Sequence, residues 1–144
     1  MGTIKFYRTK ETHGYMSNYY KARFFVYGRW WNNVEAPYQA QKTSVQSEQD
    51  AIWAATKAND ARLLGQKVSI RPDWDQVKRN VMKGCVLAKF LQHSDLRQKL
   101  METDDQELIE DSPVDSFWGC GADGKGRNEL GKVLMEVRSE LKGE

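Results

Sequence analysis

Three side chains that could take part in chemistry recur between residues 35 and 42. Glu35, Gln39 and Lys42 are spaced four and three residues apart, directly after a cluster of aromatic residues. On a helix this spacing brings a carboxylate, an amide and an amine to one face. A polar stripe beside aromatics suits one edge of a binding site for a flat, polar ligand, although most charged side chains on helices are simply solvated.

A second unusual segment is the glycine-rich stretch from Asp115 to Gly126, which contains Phe117 and Trp118. Glycines let a backbone approach a ligand closely, and the stretch leads into a predicted helix whose free first amides favour phosphate. The glycine spacing fits neither a P-loop nor a dinucleotide-binding motif. A flexible surface loop is the alternative, but adjacent exposed aromatics are unfavourable unless they pack or bind something.

Composition limits the classes of protein to consider. The chain has 144 residues, 40% hydrophobic and 29% charged, with a net charge of +2, so we expect a single domain over residues 1–144. No apolar run is long enough to span a bilayer, and residues 1–10 lack the apolar core of a secretory signal. We therefore expect a cytoplasmic protein with no membrane partner. Two cysteines and two histidines predict neither a disulfide framework nor a zinc site, and no metal or cofactor is expected.

The elements that must position these residues are mostly helices. Short strands are predicted over residues 3–8, in a hairpin over residues 22–31 and at residues 108–110. Helices are predicted over residues 34–47, 48–57, 61–64, 74–92, 95–100 and 128–141. The regular part of the first helix is expected to begin at Pro37, because proline disfavours helical geometry in the residue before it. The pattern predicts a mainly helical α+β fold.

Several single positions carry alternatives. Trp74 opens the long helix and either stacks on a ligand or belongs to the core, where Trp53 is also expected. Lys89, near the end of the same helix, is either a phosphate ligand or a surface lysine, and the surface is slightly favoured. Ser17 and Asn18 either donate hydrogen bonds to a ligand or cap a turn.

Taken together, these segments resemble the NADAR (YbiA-like) family of N-glycosidases. Trp31, Glu35 and residues 39–42 follow the family pattern W-x3-E-H-Y-x-Q-A-Q-K. Further matches occur in the family's order over nearly the whole chain, and they include Ser17-Asn18, Arg71-Pro72-Asp73-Trp74, Ala88-Lys89-Phe90, Phe117-Trp118-Gly119, Asn128, Leu130-Gly131 and Arg138. The resemblance implies one YbiA-like domain, α+β and mainly helical, with a few short N-terminal strands.

The resemblance also implies an enzyme that hydrolyses a bond between ribose C1 and an exocyclic amine of a heterocycle. Two substrates are associated with the family. One is guanine that has been ADP-ribosylated, in DNA or as a nucleotide, and the other is the ribosylamino-pyrimidine phosphate of riboflavin synthesis. The expected partner is therefore a phosphorylated ribosyl or ADP-ribosyl substrate, with ADP-ribosylated DNA as a further candidate.

Cleavage of such a bond suggests roles for the matching residues. Glu35 is expected to stabilise the positive charge that develops at C1. Lys42 is the candidate for a Schiff base with the ring-opened sugar, with direct attack by water as the alternative, and Asp115 is the candidate proton relay to the leaving amine. The expected substrate-binding residues are Ser17, Asn18, Trp31, Gln39, Trp74, Lys89, Trp118, Gly119 and Asn128.

The chain departs from the family pattern at one place. The His-Tyr pair that usually follows the glutamate is Ala36-Pro37 here. If that histidine contacts the substrate or orients the glutamate, this chain lacks the contact. A non-catalytic module that binds ADP-ribose or a related nucleotide is therefore the alternative function. A purely structural domain is a third, and it leaves the polar stripe and the glycine-rich loop unexplained.

Overall fold

The computed structural model describes residues 2–143. In chain order the elements are β1 (Thr3–Phe6), β2 (Phe24–Val26), β3 (Arg29–Trp31), α1 (Glu35–Ala40), α2 (Gln46–Ala54), α3 (Ala58–Gly65), α4 (Trp74–Gln92), α5 (Ser94–Met101), β4 (Glu107–Glu110) and α6 (Glu129–Lys142). These elements confirm the mainly helical α+β fold. Among the described residues, no helix combines the length and apolar character needed to cross a bilayer.

The chain divides into two compact units, one formed by residues 21–92 and the other by residues 2–20 and 93–143. In the unit that contains both ends of the chain, β1 and β4 form a parallel pair. Ile4 and Phe6 are buried and alternate with exposed neighbours, as expected for a strand with one buried face. The helix α6 packs against β4 and buries the apolar residues Leu130, Val133, Leu134, Val137 and Leu141. The expectation of one domain over residues 1–144 stays a prediction.

The unit of residues 21–92 begins with the predicted hairpin. β2 and β3 are antiparallel, and the turn between them has φ values of 51° at Tyr27 and 79° at Gly28, the left-handed pair that a tight hairpin turn requires. The helices α1, α2 and α3 pack together, and α4 packs against α1 and β2. The apolar cluster of this unit consists of Trp31, Ala36, Ala40, Ile52 and Ala61.

The helix predicted over residues 34–47 is interrupted after Ala40, so Lys42 lies in a turn and not on the helix. The carbonyl of Lys42 accepts the backbone N–H of Arg71 at 2.8 Å instead of an amide in a following turn of helix. The hydroxyl of Thr43 then accepts the N–H of Val45 at 3.0 Å, which redirects the chain into α2. The break therefore depends on a bond to a residue distant in sequence.

The start of α1 also differs from the expectation, because the helix begins at Glu35 and not at Pro37. Pro37 lies in the first turn, where backbone N–H groups have no partner within the helix, so a proline removes no helical hydrogen bond. The side chain of Asn33 accepts the N–H of Ala36 at 2.9 Å. A side chain that precedes the helix therefore provides an acceptor for one amide of its first turn.

Two side chains differ from the expectation in their exposure to solvent. Trp53, expected in the core, is 51% exposed because it follows the buried Ile52 and points about 100° away around the helix. Its indole N–H donates to the carbonyl of Trp30 at 3.0 Å. On α4, Lys89 is 1% exposed whereas Leu91 is 44% exposed, so the apolar face of the helix includes a lysine.

Candidate active site

Glu35 and Gln39 form a hydrogen-bonded pair on successive turns of α1. Gln39 Nε2 donates to Glu35 Oε2 at 2.5 Å, and both residues are buried. A buried carboxylate needs hydrogen bonds or a nearby cation to offset its lost hydration. Since a carboxylate only accepts hydrogen bonds, the NH₂ end of the Gln39 amide must face Glu35, and this fixes the orientation of the amide.

Lys42 lies close enough to Glu35 to interact with it electrostatically, although it is outside the helix. Burial lowers the pKa of Lys42 below 10.5, the Glu35 carboxylate raises it, and the positive charge of Lys78 lowers it. The bond from Arg71 N to Lys42 O holds the backbone of the turn, and the Arg71 guanidinium is itself fixed by two bonds to Asp73. The three residues of the predicted polar stripe are thus brought together by a helix and a turn.

One face of α4 supplies further neighbours of this group. Burial raises the pKa of the Cys85 thiol, and the charge of Glu35 raises it further, so Glu35 lies near the middle of α4. Lys78 acts on Lys42 from the first turns of the same helix. Neither Lys78 nor Cys85 was predicted from the sequence to belong to the site. Their spacing in the sequence could have indicated it. Side chains spaced four, three and four residues apart lie on a single helix face, and these are Lys78, Met82, Cys85 and Lys89.

Lys89 is a buried lysine and not the surface lysine that the sequence slightly favoured. Burial lowers its pKa from 10.5 to about 7. Its ammonium lies 5.3 Å from the centre of the neighbouring Phe90 ring, within the range of a cation–π contact. A lysine is rarely fully buried unless it is paired with another group. The expected role of Lys89 as a phosphate ligand stays a prediction.

The tryptophans expected to bind substrate in this unit are core residues. Trp31 is 4% exposed, and its indole N–H donates to the carbonyl of Val26 at 2.9 Å. Trp74 is 6% exposed and packs on Tyr38 with ring centres 5.2 Å apart. For Trp74 this is the core alternative raised from the sequence, and contact of either ring with a ligand stays a prediction.

The remaining predicted site residues lie in the other unit, most of them in the glycine-rich loop. Asp115 Oδ1 accepts the backbone N–H of Phe117 at 2.9 Å and that of Trp118 at 2.8 Å. The two rings pack edge to face with centres 4.8 Å apart, and the Arg127 guanidinium lies 4.9 Å from the Phe117 ring centre. The loop is therefore internally bonded, which explains how it tolerates adjacent aromatics. The proton-relay role of Asp115 stays a prediction.

The expectation of free amides for phosphate at the start of α6 is wrong. The N–H groups of residues 128, 129 and 130 donate to the carbonyls of residues 119, 117 and 118, each at 3.0 Å. The buried carboxylate of Glu129 occupies the same helix end and pairs with Arg127 and Lys132. Because the glycine-rich loop folds back on the helix, its own carbonyls satisfy the donors that a phosphate would need.

Asn128 and Gly119 have structural functions in this loop. Asn128 has a φ of 53°, and its side chain accepts the N–H of Glu110 at 2.9 Å and donates to the carbonyl of Leu108 at 2.8 Å. It thereby joins the start of α6 to β4. A Cβ on Gly119 would lie 2.9 Å from the carbonyl oxygen of Glu110, so a side chain cannot fit there. Contact of either residue with substrate stays a prediction.

Ser17 and Asn18 follow a short 3-10 turn, Gly14–Met16, in the same unit as the loop. The Ser17 hydroxyl accepts the backbone N–H of Tyr19 at 3.1 Å, which agrees with the turn-capping alternative. Both Ser17 and Asn18 are buried. Their expected hydrogen bonds to a ligand stay predictions.

A buried carboxylate beside a lysine of lowered pKa, on a helical α+β fold, defines a site suited to charge stabilisation and nucleophilic attack. The NADAR domain matches residues 5–142, and the chain belongs to the NADAR family. An NMR structure of the Escherichia coli protein YbiA matches the fold with a TM-score of 0.91 and 35% identity, over 98% of this chain and 85% of that chain. The family resemblance and the fold class are therefore confirmed.

Three curated relatives illustrate what the chain is similar to. An N-glycosidase of Nostoc punctiforme is 44% identical over 97% of this chain and 93% of that protein. The N-glycosidase YbiA of Escherichia coli is 36% identical over 96% of this chain and 88% of that protein. A riboflavin biosynthesis protein of Vibrio vulnificus is 42% identical over 96% of this chain, but the match covers only 38% of that longer protein.

Proposed function

We propose that this protein cleaves the bond between ribose C1 and an exocyclic amine of a planar heterocycle. The names of its relatives confirm the class of enzyme, a hydrolase that acts on N-glycosyl bonds. The finer proposal rests on one observation, the grouping of the buried Glu35 carboxylate with the Lys42 amine. The substrates proposed are ADP-ribosylated guanine and a ribosylamino-pyrimidine phosphate. A relative named for riboflavin biosynthesis supports the second.

Glu35 acts on the charge that develops as the bond to C1 breaks. The transition state has oxocarbenium or ring-opened iminium character, and a fixed carboxylate stabilises it electrostatically. The hydrogen bond from Gln39 fixes the carboxylate before the substrate arrives, so no reorganisation is needed during the reaction. Burial of Glu35 strengthens this interaction because the local dielectric is lower than in water.

Lys42 acts as the nucleophile once it has lost its proton. Its neutral amine adds to C1 of the ring-opened iminium, the heterocyclic amine leaves with a proton, and water then hydrolyses the Schiff base to release the sugar aldehyde. The lowered pKa of Lys42 increases the fraction of reactive amine near neutral pH. Direct attack by water on C1 is the alternative route, in which Glu35 acts without a covalent intermediate.

The other predicted residues complete the proposal. Lys89 holds a phosphate group of the substrate, Trp118 stacks on the heterocycle, and Asp115 relays the proton to the leaving amine. ADP-ribosylated DNA is the polymeric form of the first substrate. A cytoplasmic location is part of the same proposal.

A binding module without catalysis is the second candidate, and it is suggested by Ala36-Pro37, which replace the His-Tyr pair of the family pattern. Ala36 is buried in the apolar cluster with Trp31 and Ala40, whereas Glu35 and Gln39 share another face of α1. Pro37 lies in the first helical turn and costs no hydrogen bond. The departure from the family pattern thus changes core packing more than the face that bears the carboxylate, which favours the enzyme over the binding module.

The direct test is incubation of the purified protein with each substrate, with release of free guanine-containing product or free pyrimidine followed by chromatography. We expect turnover of at least one substrate by the wild type and a large loss in Glu35→Gln. Circular dichroism checks that both proteins are folded. Tight binding by calorimetry with no product from either substrate would support the binding module and overturn the enzyme proposal.

The Schiff-base route has a separate test. Borohydride added during turnover reduces the imine and leaves a stable adduct on the nucleophilic lysine. We expect the mass of the ring-opened sugar on the peptide that contains Lys42, and no adduct in Lys42→Arg, which keeps the charge but cannot form the imine. An active enzyme without any adduct would leave direct attack by water as the mechanism.

A further inference from the structure

Gly65, the last residue of α3, leaves the space that the Gln39 side chain occupies. The helix α3 packs against α1, and it buries its small residues Ala58, Ala61 and Gly65. A Cβ on residue 65 would lie 2.0 Å from Gln39 Oε1, 2.6 Å from Gln39 Cδ and 3.0 Å from Gln39 Cβ. All three separations are shorter than van der Waals contact. Only a glycine at position 65 is therefore compatible with the observed position of Gln39.

The amide of Gln39 is held at both ends. Its Nε2 donates to Glu35 Oε2 at 2.5 Å, and its Oε1 lies in the space that a Cβ on residue 65 would need. Within residues 2–143, no N–H or O–H group donates to Gln39 Oε1, so the space at Gly65, and not a hydrogen bond, accommodates this end of the amide. Because Gln39 is only 5% exposed, its side chain has few alternative conformations.

We propose that Gly65 is a positioning residue that acts through Gln39 to hold the Glu35 carboxylate in its reactive orientation. The proposal rests on the proposed role of Glu35 in cleavage. A carboxylate on a helix can adopt several side-chain conformations, and the bond from Gln39 selects one of them. Displacement of a catalytic group by about 1 Å lowers rates by about 100-fold, so a residue that never touches the substrate can control the reaction.

The first test is the variant Gly65→Ala. The added methyl group forces the Gln39 amide away from Glu35, and we expect kcat to fall by up to about 100-fold with little change in KM. The matched control is Gly143→Ala. Gly143 also lies at the C-terminal end of a helix, but a Cβ there would have its nearest neighbour at 3.5 Å, an ordinary contact. We expect wild-type kcat in this control.

A double-mutant cycle separates positioning from a general effect on folding. In the Gln39→Ala background the two atoms nearest to a Cβ on residue 65, Oε1 and Cδ, are gone and only the Cβ of residue 39 remains near it, at 3.0 Å. Adding Gly65→Ala should therefore cost little further activity. Losses of activity that add in the double variant would overturn the proposal, since Gly65 would then act independently of Gln39.

The variant Glu35→Gln distinguishes failure of this proposal from failure of the proposed function. Full activity of Glu35→Gln would overturn both. Loss of activity in Glu35→Gln together with wild-type kcat in Gly65→Ala would overturn the positioning role alone. A crystal structure of Gly65→Ala gives a readout without turnover, and we expect the hydrogen bond from Gln39 to Glu35 to be broken. A retained bond would contradict the proposal.

Discussion

The Glu35 carboxylate opposes the loss of a proton from Lys42, because it stabilises the charged ammonium. The Glu35 carboxylate raises the pKa of Lys42, whereas burial and the charge of Lys78 lower it, and the net direction is downward. A lysine that must be neutral to attack gives a rate that rises with pH through its pKa. The position of this rise in kcat/KM therefore reports on the balance among these groups.

Replacing Lys78 with methionine tests this balance. Loss of the neighbouring positive charge raises the pKa of Lys42, so the rising limb of kcat/KM should move to higher pH by up to about one unit. Lys78 also lies 3.5 Å from Asp75, and freeing that carboxylate acts in the same direction. We expect Lys78→Arg, which keeps the charge, and Lys67→Met, on an exposed side chain, to leave the profile unchanged. A profile that does not move in Lys78→Met would remove Lys42 as the titrating nucleophile.

Neutralising the carboxylate tests the electrostatic role of Glu35. We expect Glu35→Gln to lower kcat by about 100- to 1,000-fold, the range found when one stabilising group is removed from a transition state. The amide has nearly the same size, so the melting temperature should change little. Glu107→Gln, on an exposed residue of β4, is the matched control and should keep wild-type kcat. Steady-state kinetics with either substrate measures both.

The sequence predicted the elements that depend on local pattern. The hairpin within residues 22–31 and the long helix α4 were both expected, because turn residues between apolar strands and helical periodicity are local signals. The break after Ala40 was not expected, since it depends on the backbone N–H of Arg71, which no local pattern reveals. The grouping of Glu35 with Lys42 was therefore predicted correctly, although the helix on which the prediction was based ends before Lys42.

Two errors at the site have the same kind of cause. Lys89 was slightly favoured as a surface residue because lysines are usually exposed, although its spacing from Cys85 places it on the buried face of α4. The first amides of α6 were expected to be free because the first N–H groups of a helix have no partner within the helix. In the folded chain the carbonyls of residues 117–119 accept these N–H groups. Residue type alone predicted neither the burial of Lys89 nor the pairing of the first amides of α6.

Burial of Lys89 makes stability depend on pH. Its pKa is about 7 in the folded protein and about 10.4 in an unfolded chain, so the unfolded state binds more protons between these values. The buried Lys89 therefore lowers the free energy of unfolding most below pH 7, and this cost decreases as the pH rises toward 10. We expect Lys89→Met to raise the free energy of unfolding by a few kcal/mol at pH 6, and by less at pH 9. Urea denaturation at both pH values measures this. An equal gain at pH 6 and pH 9 would contradict the lowered pKa.

Asn128 provides a test of structural against substrate-binding roles. Its side chain bonds to Glu110 and Leu108, and its φ of 53° is unfavourable for most residues. We expect Asn128→Ala to lower the free energy of unfolding by roughly 2–4 kcal/mol, from two lost hydrogen bonds and a strained backbone. Asn128→Gly loses the same bonds, but glycine adopts a positive φ without strain. This variant should therefore be about 1 kcal/mol more stable than Asn128→Ala.

The two Asn128 variants also predict the kinetics. If Asn128 only joins α6 to β4, variants assayed well below their melting temperature should keep the wild-type KM, because no contact with substrate has been removed. The measurement is KM for the substrate that turns over, beside denaturation curves for the same preparations. A several-fold rise in KM shared by Asn128→Ala and Asn128→Gly, at temperatures where both are folded, would restore Asn128 to the substrate-binding residues.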